Sequence, residues 1–162
     1  TKHRWRRLGK WECIKELRLF DTSFIVDLVN ADPGAGSLAR TVDEEHSFAA
    51  LSVISVHEYL FGIHYKHQED EDRLRMKLAS AKKDLSRFEI LPLTKEIVEI
   101  SSRIHAQLER KGQTIGINDI YIASTALHFK LKLVTRNSEH YQRIYGLQVE
   151  TYWMHKPSQD PI

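Results

Sequence analysis

Leu17-Arg18-Leu19-Phe20-Asp21-Thr22-Ser23-Phe24-Ile25-Val26 contains the change of pattern that decides the fold. A short apolar run stops at Asp21, and Phe24, Ile25, Leu28 and Val29 then recur at helical spacing. The pattern predicts a strand over Leu17–Phe20 and a helix from about Ser23. An acid just past the carboxyl end of a strand in an open α/β sheet points into the crevice where such sheets bind ligands. Glu58 and Asp119 also stand at the starts of predicted helices. Three acids gathered at one such crevice would form an oxygen-rich pocket for a hard divalent cation.

Outward from this stretch, Asp32-Pro33-Gly34-Ala35-Gly36 reads as a turn ending the first helix. Ser37 then caps a short helix through Ala39 and Val42 toward Glu45. A second strand is expected over 50–54, apolar except for Ser52, as suits a parallel strand covered on both faces. Ser55 opens a helix to about Tyr65. Glu69-Asp70-Glu71-Asp72 precedes Arg73 and Arg75, the order that a helix dipole favours. A third strand over 88–91 ends at Pro92, and Thr94 caps a helix with Ile97, Ile100, Ile104 and Leu108 on one face. Gly112 stops it. A helix over 118–129, rich in Ala123, Ser124 and Ala126, precedes a fourth strand over 131–135. A short helix over 138–143 and a last strand near 148–151 complete the pattern. Strands alternating with helices imply a three-layer α/β/α sandwich around a central, mostly parallel, twisted sheet of four to five strands.

The 162 residues, 41% of them hydrophobic, suffice for one well-buried core, expected over 17–152. A basic extension over 1–16 and a tail over 153–162 flank it. The formal net charge of +2 is unevenly spread: residues 1–18 hold seven Lys/Arg against two Glu, and the remainder 17 against 20 acids. His3-Arg4-Trp5-Arg6-Arg7 and Lys10-Trp11 combine charge with rings, as phosphate contact and base stacking require. A solvated extension without such a role is the preferred reading. No apolar run approaches the roughly 20 residues of a membrane span, and no signal peptide is visible, so a cytoplasmic location is expected. The single cysteine, Cys13, fits a reducing compartment.

Each acid has a purely structural alternative. Asp21 suits the cap of the helix that follows it. Ser55-Val56-His57-Glu58 fits a capping box, in which serine and glutamate satisfy each other's orphan amides. Asp119 follows Asn118 at a helix start, where negative charge is favourable without any catalytic purpose. The topology weighs against three independent caps. Asp21 ends the first strand, the Glu58 helix begins beyond the second, and the helix starting at Asn118 returns to the same edge before the fourth. Asn137 arrives there too, two residues past that strand.

The segments Phe20-Asp21-Thr22-Ser23-Phe24, Ser52-Val53-Ile54-Ser55-Val56-His57-Glu58, Ile115-Gly116-Ile117-Asn118-Asp119 with Ile122-Ala123, and Leu133-Val134-Thr135-Arg136-Asn137 resemble the PIN domain, especially its VapC-type toxins. The resemblance spans about 17–152. It implies a metal-dependent endoribonuclease that leaves a 5′-phosphate, with Mg²⁺ or Mn²⁺ held by Asp21, Glu58 and Asp119, and Asn137 in the fourth polar position. It also implies an RNA substrate, a small antitoxin partner and a homodimer. Some relatives carry an acid at the position of Asn137 or of His140, so one negative charge is missing here. An alternative from another class keeps the fold without the catalysis: a PIN-like RNA-binding or scaffold protein in RNA processing.

Thr22, Ser23 and Thr135 are placed to contact either a phosphate or nearby backbone, and for Ser23 the backbone role is expected. Arg136 suits substrate phosphate or the open surface. His57, His64 and His67 share one helix, with too few further ligands for a zinc site to be expected. No phosphate-binding P-loop and no G-x-S-x-G nucleophile turn occurs, which argues against NTP use and serine hydrolysis.

Overall fold

The computed structural model describes residues 16–152. Its strands are β1 (Leu17–Phe20), β2 (Phe48–Ser52), β3 (Glu89–Leu91), β4 (Lys132–Val134) and β5 (Val149–Glu150). Its helices are α1 (Thr22–Val29), α2 (Pro33–Glu44), α3 (Val53–His67), α4 (Glu71–Leu85), α5 (Lys95–Arg110), α6 (Ile117–Phe129) and α7 (Ser138–Tyr141). The strands form one sheet in the order β3-β2-β1-β4-β5, and every pairing is parallel. The expected α/β/α sandwich is therefore present, with five strands. From β1 the chain builds outward through β2 and β3, then returns to β1's other side with β4. That reversal puts the switch point of the sheet between β1 and β4.

Period-two alternation sends β1 to two cores at once. Leu19, Ala50 and Leu133 face one cluster, completed by Ile104 and Leu108 of α5 and by Ile120, Ala123 and Ala126 of α6. Phe20, Leu51 and Val134 face the other, with Phe24 and Ile25 of α1, Ala35 and Val42 of α2, and Tyr59 of α3. Burial of each large apolar side chain contributes about 1.5–3 kcal/mol, so loss of either layer would unfold the sheet. The small residues of α6 behave as expected: Ala123, Ser124, Thr125 and Ala126 are all fully buried.

Helix ends show where local signals held and where they misled. Thr94 caps α5 by accepting from the Ile97 amide. Gly112, at φ 62°, closes it in a Schellman arrangement, with Gln113 N–H donating to Leu108 O and Gly112 N–H to Glu109 O. Asp32-Pro33-Gly34, expected as a helix-ending turn, instead opens α2. Asp32 Oδ1 accepts from the Ala35 amide at 2.9 Å, and Pro33 takes the first helical position, where its missing N–H costs nothing. Ser37 thus lies inside that helix. The second strand begins two residues earlier than expected, because pairing of Leu17 with Phe48 through Phe20 with Leu51 fixes its register. Val53 and Ile54 are helical as a result. The basic head and the tail beyond Tyr152 lie outside the described residues.

Candidate metal-dependent nuclease site

Asp21 follows β1 at the switch point, where its backbone N–H donates to Val134 O of β4 at 3.0 Å. Its side chain is 5% exposed. Oδ1 accepts from Ser23 Oγ at 2.5 Å and from the Phe24 amide at 3.3 Å, while Oδ2 accepts from Thr135 Oγ1 at 2.5 Å. Burial raises its pKa above the ordinary aspartate value, and these hydrogen bonds oppose the shift. Asp21 does cap α1, as the structural alternative required, but Thr135 reaches it from the neighbouring strand. A simple cap needs no such second partner.

Glu58 departs most from local expectation. Ser52 caps α3, accepting from the Ile54 amide at 3.2 Å, so the proposed box between Ser55 and Glu58 does not form. Ser55 Oγ is buried with no hydrogen-bond partner among the described residues. Glu58 lies in the second turn, and its carboxylate reaches two other elements: Oε1 accepts from Asn118 Nδ2 at 2.9 Å, and Oε2 accepts a very short bond from Thr22 Oγ1. Thr22 follows Asp21, and Asn118 precedes Asp119. Glu58 is consequently held between the immediate neighbours of the other two acids.

Asp119 lies in the first turn of α6, which has Gly116 at its N-cap and no side-chain cap bond. Its Oδ1 accepts from the Tyr141 hydroxyl at 3.0 Å, and Oδ2 lies 3.8 Å from His140 Nδ1. Tyr141 is 1% exposed. Burial drives its pKa far upward, and the charges of Asp21, Asp119 and Glu58 all add to the effect. One buried hydroxyl therefore feels all three carboxylates.

Asn137 is exposed at the N-cap of α7 and makes no side-chain cap bond; its backbone N–H donates to Thr135 Oγ1 at 3.0 Å. Thr135 is thus a fully buried strut of the site rather than a free phosphate contact. Ser23 is also more than a local backbone partner. Beyond its bond to Asp21, it accepts from the Arg136 amide at 3.2 Å and lies 3.3 Å from the Tyr152 hydroxyl, which donates to buried Asp27 at 2.6 Å. Arg136 forms a close ion pair with Asp27. Tyr141 carried no sequence signal, and nothing local in the sequence tied Thr22 or Asn118 to Glu58, because each makes that contact across tertiary distance.

The crevice has the donor chemistry for a hard cation, but not a closed cage. Among the described residues, no three of Asp, Glu, His and Cys stand close enough to enclose an ion by themselves, which holds equally for the α3 histidines. Mg²⁺ does not require such a cage: it retains water and is commonly held by one or two carboxylates together with substrate phosphate. The residues present fit that mode.

The sequence matches the model of the PIN domain over residues 18–147. The chain belongs to the PIN domain family. It is 33% identical over 133 residues to Ribonuclease VapC1 of Methanocaldococcus jannaschii, covering 81% of this chain and 85% of that protein. Ribonuclease VapC1 of Rickettsia felis is likewise 33% identical, over 82% of this chain and 94% of that protein. Among solved structures, VapBC2 from Rickettsia felis bound to a promoter DNA fragment superposes with a TM-score of 0.71 at 27% identity, covering 85% of this chain and 98% of that one. In this PIN domain the hydrogen bonds of Asp21, Glu58 and Asp119 link the end of β1, α1, α3, α6, α7 and the β4–α7 turn. No helix among the described residues is long and apolar enough to cross a membrane.

Proposed function

We propose that this PIN protein is a divalent-cation-dependent endoribonuclease, the toxin of a toxin–antitoxin pair. The observation that carries the reading is the position of Glu58, whose carboxylate accepts from Thr22, next to Asp21, and from Asn118, next to Asp119. Its VapC relatives are named as ribonucleases, and the Rickettsia felis neighbour is a VapBC complex, which supports both the activity and an antitoxin partner. A homodimer and a cytoplasmic location complete the reading.

Asp21 and Asp119 would hold Mg²⁺ or Mn²⁺, with Glu58 as a further ligand or as acceptor of the attacking water's proton. The ion, when bound, would lower the pKa of water and neutralise charge developing on the phosphate. Ser23 and Thr135 fix Asp21, and Tyr141 orients Asp119. Asn137 offers its amide to substrate or solvent. In-line attack by water on phosphorus breaks the bond to the 3′-oxygen, which takes up a proton and leaves the next nucleotide with a 5′-phosphate.

Titration of Mn²⁺ into purified protein with single-stranded RNA tests this directly. Cleavage that requires the cation and disappears in Asp119→Asn is the expected result. RNA binding with no metal-dependent scission would instead identify a scaffold.

A further inference from the structure

The helix that carries Glu58 also carries a row of exposed rings. His57, Phe61 and Tyr65 recur every four residues on α3, with centroids 6.3 Å and 5.9 Å apart and interplanar angles of 18° and 28°. Phe61 is 59% exposed and Tyr65 71%. Rings of this size in a core would each contribute about 1.5–3 kcal/mol, a gain that their position forgoes. Helical spacing puts Glu58, Phe61 and Tyr65 on one face, at i, i+3 and i+7. With 1.5 Å of rise per residue, Phe61 lies about 4.5 Å and Tyr65 about 10.5 Å along the axis from Glu58. Gly62, four residues after Glu58, would meet nothing within 4 Å if it carried a Cβ, so the strip beside the rings is open.

At its far end the row meets a cleft of about 380 Å³ lined by Tyr65, Lys66, His67 and Arg73, together with Glu69 and Asp70. Asp70 is engaged as the cap of α4 through the Arg73 amide. Burial, then the positive charges of Arg73, Lys66 and Lys77, lower the His67 pKa, and the charge of Asp70 opposes them. Glu58, a strip of near-parallel rings and a cleft of mixed charge that holds Lys66 and Arg73 thus follow one another along α3 and onto α4.

We infer that His57, Phe61 and Tyr65 form a stacking platform for the bases of single-stranded RNA beside the scissile phosphate, with Lys66 and Arg73 holding the backbone beyond it. The inference rests on the ribonuclease reading above and assigns its substrate a path. Ring spacing near 6 Å exceeds the 3.4 Å step of a stacked strand, which suits splayed bases rather than a duplex. Flat π faces with Lys66 and Arg73 beside them suit nucleic acid, because bases stack on aromatic rings and the phosphates between them attract cations.

The test uses the full chain in EDTA, so that binding is read without cleavage, and a fluorescent single-stranded oligoribonucleotide followed by anisotropy. Phe61→Ala with Tyr65→Ala should weaken binding by about tenfold or more, and Phe61→Trp with Tyr65→Trp should retain it. An abasic oligonucleotide should bind wild-type protein no better than the base-bearing one binds the double alanine variant. Unchanged affinity in that variant overturns the platform, even if metal-dependent cleavage persists and the nuclease reading stands. A drop from dimer to monomer in light scattering, with RNA affinity preserved, overturns it in favour of a contact between two copies. If wild-type protein binds RNA through the rings but never cleaves it, the platform survives and the nuclease reading fails.

Discussion

Asp119 is the acid whose surroundings most nearly isolate function from folding. It is one-third exposed, and among the described residues its one close hydrogen bond to another side chain comes from the Tyr141 hydroxyl. Asp119→Asn keeps the shape and an acceptor oxygen, so we expect divalent-dependent cleavage to fall by at least a hundredfold while the melting temperature stays within a few degrees. Cleavage rates and thermal unfolding of the same preparation check both halves. Tyr141→Phe removes only the donor. Its ring stays packed, and the expected result is about a tenfold lower kcat with unchanged RNA affinity in EDTA. Sequence spacing identified Asp21, Glu58 and Asp119 as candidates, yet it gave the wrong structural alternative for Glu58. A capping box depends on where the helix begins, and α3 begins three residues before the point that Ser55 suggested.

At the scale of elements, α2 shows how a tertiary contact reinterprets a local signal. Asp-Pro-Gly is compatible with both a turn and a helix start, and packing of α2 against α1 selects the start. Gly34 then passes directly beneath the chain at Tyr152: a Cβ there would lie 2.5 Å from Tyr152 O, a backbone atom with no rotamer to yield. Gly34→Ala should destabilise the protein by about 1–3 kcal/mol, measured by denaturant unfolding. Asp32→Ala removes the α2 cap alone and should cost about 1 kcal/mol. The larger loss at Gly34 would show that close approach, not helix propensity, constrains this position, since alanine is the better helix former.

For the whole molecule, the sheet has two chemically distinct ends. The carboxyl end carries the acids. Nearer the opposite end, Arg18 is 6% exposed and pairs with Glu150 at 3.0 Å and Glu45 at 3.6 Å, while Lys132 pairs with Glu16 at 2.8 Å. These bonds join β1, β4, β5 and the segment before β2. Because the glutamates remain partly solvated, Arg18→Ala should cost on the order of 2 kcal/mol, below the figure for a wholly buried pair. Cleavage per folded molecule should be unchanged, a combination that unfolding and active-fraction measurements together resolve. The sequence by itself determined the alternation of strands and helices, the parallel sheet and the three acids, because hydrophobic period and strand-end chemistry are local properties. Only tertiary structure decided that Glu58 answers to Thr22 and Asn118, that Thr135 and Tyr141 hold the two aspartates, and that Arg136 pairs with Asp27. Those partners lie 22 to 114 residues apart along the chain, and nothing in local propensity encodes which side chains a folded sheet brings within hydrogen-bonding distance.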